Sequence, residues 1–100
     1  MNNNRLKLDE ILKEICKNVY YQPPSNINMK YPAIVYSRSD INNDFADNKV
    51  YTQSHSYTIT VIDKNPDSEI VDAVSKLPGC RYNRPFRSDN LNHDVFIIEI

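Results

Sequence analysis

Val50–Ile62, VYTQSHSYTITVI, decides the fold. The run is rich in β-branched and aromatic residues and contains neither glycine nor proline, so it reads as one uninterrupted strand. Its second half alternates, with Tyr57, Ile59 and Val61 on one side and Thr58, Thr60 and Ile62 on the other, as in a sheet packed against helices. Its first half, Tyr51–Ser56, has no apolar face. At about 3.3 Å per residue the strand spans roughly 43 Å, whereas a compact domain of this length has a diameter of only about 34 Å. The strand is therefore either bent or longer than the body that covers it. The change in composition favours the second option: the apolar half belongs in the core, and the polar half projects as a ribbon. Its unpaired edges would invite another chain, a feature monomeric proteins usually suppress, and so argue for an assembly.

Working upstream, Asp40–Lys49 (DINNDFADNK) has the composition of a hairpin tip, with the turn expected at Asp47-Asn48. Ala33-Ile34-Val35-Tyr36 reads as the antiparallel partner strand, preceded by a polar turn over Gln22–Lys30. Residues Arg5–Val19 place Leu8, Ile11, Leu12, Ile15 and Val19 on one helical stripe. Asn4 is positioned to cap this helix, Asp9 and Glu10 lie in its early turns, and Pro23-Pro24 block any continuation past Tyr21. Its polar face mixes acid and base where a membrane helix would be mostly basic, so no membrane role is expected.

Downstream, Asn65-Pro66 reads as a helix start, with Asn65 as the cap, Pro66 in the first helical position and Asp67 and Glu69 in the first turn. Ile70, Val71, Val74 and Leu77 form a second stripe, and Pro78-Gly79 ends the helix. Cys80–Phe86 reads as a third strand, at an edge because Pro85 lacks an amide hydrogen, and Asp94–Ile100 as a fourth. The expected fold is α+β in the order αββαββ: a mainly antiparallel four-stranded sheet, two helices on one face and a long projecting hairpin.

One hundred residues, 40% hydrophobic and 25% charged, are expected to form a single domain spanning residues 1–100. The formal net charge is −1 with basic residues spread along the chain, which disfavours duplex binding as the main task. Cys16 and Cys80 make no ligand-like cluster, and no apolar signal segment precedes the first helix, so a reducing cytosol is expected. The seven tyrosines suit half-buried strands as well as interfaces.

No catalytic chemistry emerges, and no enzyme activity, metal or cofactor is expected. His93-Asp94 lacks the third ligand a metal site needs, and neighbours on a strand point to opposite faces. The alternative is that the pair bounds the last strand by hydrogen bonds to the turn Ser88–Asn92. Ser54, Ser56 and Cys80 have no nucleophile elbow or oxyanion loop around them, and the single glycine, Gly79, argues against a phosphate-cradling loop. Asp63, Asp67, Glu69 and Asp72 are explained by the helix start. Arg81, Tyr82, Arg84, Phe86 and Arg87 form the best local case for nucleic acid, yet suit a protein contact or a solvated edge as well.

VIDKNPDSEIVD at Val61–Asp72, KLP at Lys76–Pro78 and DNLNHDVF at Asp89–Phe96 follow one another in that order. In these motifs the chain resembles the tail terminators, or tail-completion proteins, of long-tailed bacteriophages and prophage-derived particles. The resemblance covers a little under half the chain. It implies a homo-oligomeric ring, usually of six subunits, that caps the tail-tube protein, ends polymerisation and presents its other side to head-closure or connector proteins. DNA would only pass through the lumen, which suits a near-neutral protein. The implied location is the head-proximal end of the virion tail, reached by assembly in the bacterial host cytoplasm. By motif position Asp63, Asn65, Pro66 and Asp67 match the strand-to-helix corner, and Asp89, Asn90, Leu91, Asn92 and His93 the turn before the last strand, both with architectural roles. The motif does not reach the hairpin. Asp40, Asn42, Asn43, Asp44, Phe45, Tyr51, Gln53 and His55 are candidates for contacts between subunits or with the tube from the hairpin's predicted length and polarity alone. The runner-up is a small nucleic-acid-binding accessory protein that would use the Arg81–Arg87 segment.

Overall fold

A computed structural model of the chain describes residues 4–24, 26–46 and 49–100, with side chains except at 42, 44–46 and 50–53. Seven elements follow in order: α1 (Asn4–Ile15), β1 (Val19–Tyr21), β2 (Ala33–Ala46), β3 (Lys49–Asp63), α2 (Glu69–Ser75), β4 (Cys80–Ser88) and β5 (Leu91–Glu99). They form an α+β fold with one five-stranded mixed sheet in the order β1-β2-β3-β5-β4. The expected alternation on the long strand is present. Tyr57, Ile59 and Val61 are buried and register with Ile34 and Tyr36 of β2 and with Phe96 and Ile98 of β5. Leu8 and Leu12 of α1 and Val74 of α2 join the same buried cluster, so both helices cover one face of the sheet.

The strand count departs from the four antiparallel strands expected. Val19, read as the end of the first helix stripe, instead opens β1, which runs parallel to β2 with Val19 opposite Ile34. The helix stops at Ile15 because the chain finds other partners. The Cys16 thiol donates to the carbonyls of Asn18 and Pro32, the Asn18 amide donates to Pro32 O at 3.1 Å, and Ile34 N donates to Asn18 O at 2.8 Å. Three residues are too few to show alternation, and a strand that short exists only against its neighbour. Gln22 ends it. At φ 44° it turns the chain away, donating its amide to Tyr36 O at 3.0 Å while its side-chain oxygen accepts from Arg38 N at 3.3 Å. Asn4 is itself the first helical residue of α1, whose first turn carries no acid; Asp9 sits one turn later.

The second helix also starts later than Asn65-Pro66 suggested. Asp63 Oδ1 accepts from Asn65 N at 3.0 Å, and Asn65 Oδ1 accepts from Asp67 N at 2.9 Å, so side chains satisfy this corner as two consecutive turns. Ser68 is the cap, accepting from Ile70 N at 3.2 Å. The helix closes at Ser75, and Gly79, at φ 76°, turns the chain into β4. A Cβ there would lie 2.7 Å from Glu99 O, and Glu99 N donates to Gly79 O, so the close approach and the positive φ both require glycine.

The hairpin is longer than expected. Asp40–Ala46, read as a polar tip, is strand throughout, pairing from Asp40 opposite Ser56 to Ala46 opposite Lys49. Ladder bonds are made by the backbone, so a ribbon open to water on both faces needs no apolar alternation to form. The expected turn at Asp47-Asn48 lies outside the described residues. β5 begins at Leu91, ahead of the expected Asp94, because Asp89 and Asn90 take φ 52° and 62° and close a two-residue hairpin with Ser88 opposite Leu91. β4 is the edge strand, as Pro85 suggested. The molecule measures 51 × 26 × 23 Å with a radius of gyration of 14.8 Å, against about 13 Å for a compact domain of this length.

Candidate assembly surface

β5 pairs with β3 only from Ser56 to Asp63, and β1 pairs with β2 only from Ile34 to Tyr36. The β2 edge past Arg38 and the β3 edge past His55 therefore have no neighbour among the described residues, and the pair continues as a two-stranded ribbon. A register shift between Arg38 and Asp40 marks the point where it leaves the body, and a second between Asp44 and Phe45 lies near its tip. Such bulges sharpen the local twist.

The structure divides the predicted hairpin residues. Asp40 and Asn43 are exposed on the ribbon, and Asp40 Oδ1 accepts from Ile41 N at 2.8 Å. Asn42, Asp44 and Gln53 stand in the ladder opposite Ser54, Thr52 and Asn43, Phe45 stands opposite Val50, and Tyr51 falls at the second register shift; their side chains, apart from Asn43's, lie outside the described part. His55 is different: only 7% exposed, it exchanges backbone hydrogen bonds with Ile100, His55 N to Ile100 O at 3.3 Å and Ile100 N to His55 O at 2.9 Å. It belongs to the seam between ribbon and body.

That seam carries residues the sequence reading missed. Ile41 of β2 stands opposite His55 of β3, which bonds to Ile100 just past the end of β5, making one row of three residues. Ile100 in turn lines an open groove of about 380 Å³ with Ile11, Leu77, Pro78, Gly79, Ile98 and Glu99. Ile41 and Ile11 are 40% and 38% exposed. Their only sequence signal was an isoleucine amid asparagine and aspartate and a stripe residue at the rim of a helix.

The two architectural sets meet. Asp63 stands opposite Asn92 at the end of the β3–β5 ladder, and the Asn92 amide donates to Lys64 O at 3.2 Å. The strand-to-helix corner of Asp63, Asn65, Pro66 and Asp67 is thus tied to the Asp89–His93 turn. His93 and Asp94 face opposite sides of β5. The His93 ring lies 3.2 Å from Leu91 O and stacks on Phe86 at 4.4 Å, whereas Asp94 accepts from the Tyr82 hydroxyl at 2.9 Å. Partial burial and that carboxylate push the Tyr82 phenol pKa up.

On β4 the register shift between Tyr82 and Arg84 has a consequence for charge. Arg81 stands opposite Ile97, Arg84 opposite Val95 and Phe86 opposite His93, which places all three on the helix-free face, although Arg81 and Arg84 are three residues apart. Arg84 lies over the Phe86 ring at 5.3 Å, and Tyr82 meets Phe96 edge-on at 5.2 Å. Arg81, Arg84 and Arg87 are exposed, and none has an ion-pair partner among the described residues. Both aromatics already have ring partners within the sheet, which weakens them as platforms for bases.

Among the described residues no group of three His, Cys, Asp or Glu is placed to hold a metal ion, and no helix is long and apolar enough to cross a membrane. Cys16 is buried and Cys80 half-buried, both as free thiols, with burial pushing the Cys80 pKa up. No protein-family model and no curated protein matches the chain.

Proposed function

We infer that this protein is a phage structural component that caps the tail tube as a ring, ends tail polymerisation and forms the head-tail joining surface. One observation carries the assembly part of the reading: among the described residues the ribbon extends beyond every neighbour that would cover its edges. Such edges are a template for another chain, and a monomer would normally shorten, cover or blunt them. The phage part comes from the resemblance of Val61–Asp72, Lys76–Pro78 and Asp89–Phe96 to tail terminators, supported by the contact that joins the first and last of these segments through Asn92 and Lys64.

On this reading the partners are copies of the chain, in a ring of six, the tail-tube protein and a head-closure or connector protein. The ring ends growth because its two faces differ, so the tube meets one and finds no tube-like surface on the other. DNA passes through the lumen without being held, in keeping with a net charge of −1. The working location is the head-proximal end of the virion tail, after assembly in the host cytoplasm.

Electron microscopy of particles made after disruption of the gene tests the reading. Tails of uncontrolled length beside unattached heads are expected; normal tails joined to heads would overturn it. The nucleic-acid alternative keeps only the three arginines of β4 in its favour, and it requires binding that weakens steeply with salt.

A further inference from the structure

The sheet ends in two open edges of opposite charge. On one side is the β2 edge of the ribbon beyond Arg38, and on the other is β4, with β3 and β5 between them. Cys80–Ser88 carries Arg81, Arg84 and Arg87 and no acid, whereas residues 39–56 carry Asp40, Asp44 and Asp47 against Lys49 alone. We propose that the acidic ribbon of one copy docks against the arginine edge of β4 in a second copy, head to tail.

The geometry is consistent on several counts. Asp40 stands opposite Ser56, which with Thr58 and Thr60 belongs to the helix-free face, and the register shift in β4 brings Arg81 and Arg84 to that same face. Two sheets laid edge to edge in this way continue one another with acid and base on a common side. The lengths match as well. Asp40–Ala46 spans about 23 Å and Cys80–Ser88 about 30 Å at the usual rise. Pro85 and the bulge interrupt backbone pairing along β4 and keep it from accepting any passing strand, which leaves charge as the selector. Among the described residues none of the three arginines has an ion-pair partner, so each is free to meet an acid on another copy. Because ribbon and β4 are different surfaces, the contact is heterologous, and repetition closes a ring or extends a filament according to the angle at each junction. It names the subunit contact of the ring described above and to that extent rests on that reading.

Two charge-reversed proteins test it. One carries Arg81→Glu and Arg84→Glu, so ribbon and edge are both acidic; the other carries Asp40→Lys and Asp44→Lys, so both are basic. Sedimentation velocity over a concentration series, with circular dichroism to verify folding, follows each alone and mixed. The wild type is expected to assemble, less so as salt screens the contact over a Debye length of about 10 Å at 0.1 M. Each variant alone should need a roughly tenfold or higher concentration to assemble, from like-charge repulsion at the junction. The equimolar mixture should assemble again, each variant accepting the other. A wild type that stays monomeric, variants that assemble as well as wild type, or a mixture that fails to recover would overturn the contact. So would loss of nucleic-acid retention in the arginine variant with assembly unchanged. Failure here together with overgrown tails in the gene disruption would remove this contact and leave tail termination standing.

Discussion

Asp9 is a surface aspartate by sequence and a tether by structure. Its carboxylate accepts from the buried Tyr36 hydroxyl at 2.6 Å and pairs with Lys13 at 2.7 Å, while Arg5 lies over Tyr21 at 4.7 Å, itself 4.8 Å from Tyr36. Burial pushes the Asp9 pKa up, but the hydrogen bonds from Lys13 and Tyr36 and the charges of Lys13 and Arg5 outweigh it and hold it below its ordinary value of 3.8. The unfolded chain therefore binds the proton more readily just below that value. Asp9 contributes stability that is fully present above it and is lost as pH falls through the folded pKa. Asp9→Asn should make the acid limb of a stability-versus-pH curve shallower, and Tyr36→Phe should cost about 1–3 kcal/mol in urea unfolding at neutral pH, as expected for a bond to a charged group. Equal acid limbs in Asp9→Asn and wild type would show that the tether contributes nothing. Gly79→Ala must hold φ 76° and move the Glu99 carbonyl. A loss of about 1–3 kcal/mol is expected by the same measurement.

Among the elements, the β4–β5 hairpin and α2 are held by local devices. Asn90 sits at φ 62°, a conformation a β-branched residue resists by about 1–2 kcal/mol. Asn90→Val should destabilise by that amount, and Asn90→Gly should leave stability equal or higher; equal melting temperatures for both would mean that the turn adapts. Ser68→Ala removes the α2 cap and should cost about 1 kcal/mol. The capping chemistry at this corner was visible in the sequence, but its assignment was not. Asp63, Asn65 and Ser68 are all competent acceptors, and which backbone amide each one takes depends on the direction in which β3 delivers the chain. β1 was hidden for a related reason: Val19-Tyr20-Tyr21 continues a helix stripe as naturally as it starts a strand until Asn18 and Ile34 bond.

For the molecule as a whole, body and ribbon are separable. Among the described residues the hydrophobic core cluster takes none between Tyr36 and Tyr57. Replacing residues 42–54 by Asn-Gly, so that Ile41 and His55 close a two-residue hairpin, should leave a cooperative thermal transition within a few degrees of wild type while abolishing self-association in sedimentation. A shortened protein that melts much earlier would mean that the ribbon belongs to the folding unit; one that still assembles would move the contact elsewhere, with the groove beside Ile100 as the next surface to mutate. The length of Val50–Ile62 left either a bent strand or a projecting one, and the absence of an apolar face over Tyr51–Ser56 favoured the projection. Its loss of apolar alternation before Tyr57 located the boundary to within two residues of the seam at His55.

By itself the sequence determined the α+β class, the apolar face of the long strand, the Gly79 turn, the edge position of β4 and the projection of the hairpin. Each follows from periodicity, from a residue with a restricted conformation or from a strand length read together with a change in composition along it. Only the tertiary structure decided the parallel β1, the late start of α2, the burial of His55, the row Ile41–His55–Ile100 and the shared face of Arg81 and Arg84. These depend on which neighbour a short segment meets and on a one-residue shift in a ladder, and a change of register by one residue reverses every face beyond it without altering the composition that sequence reading uses.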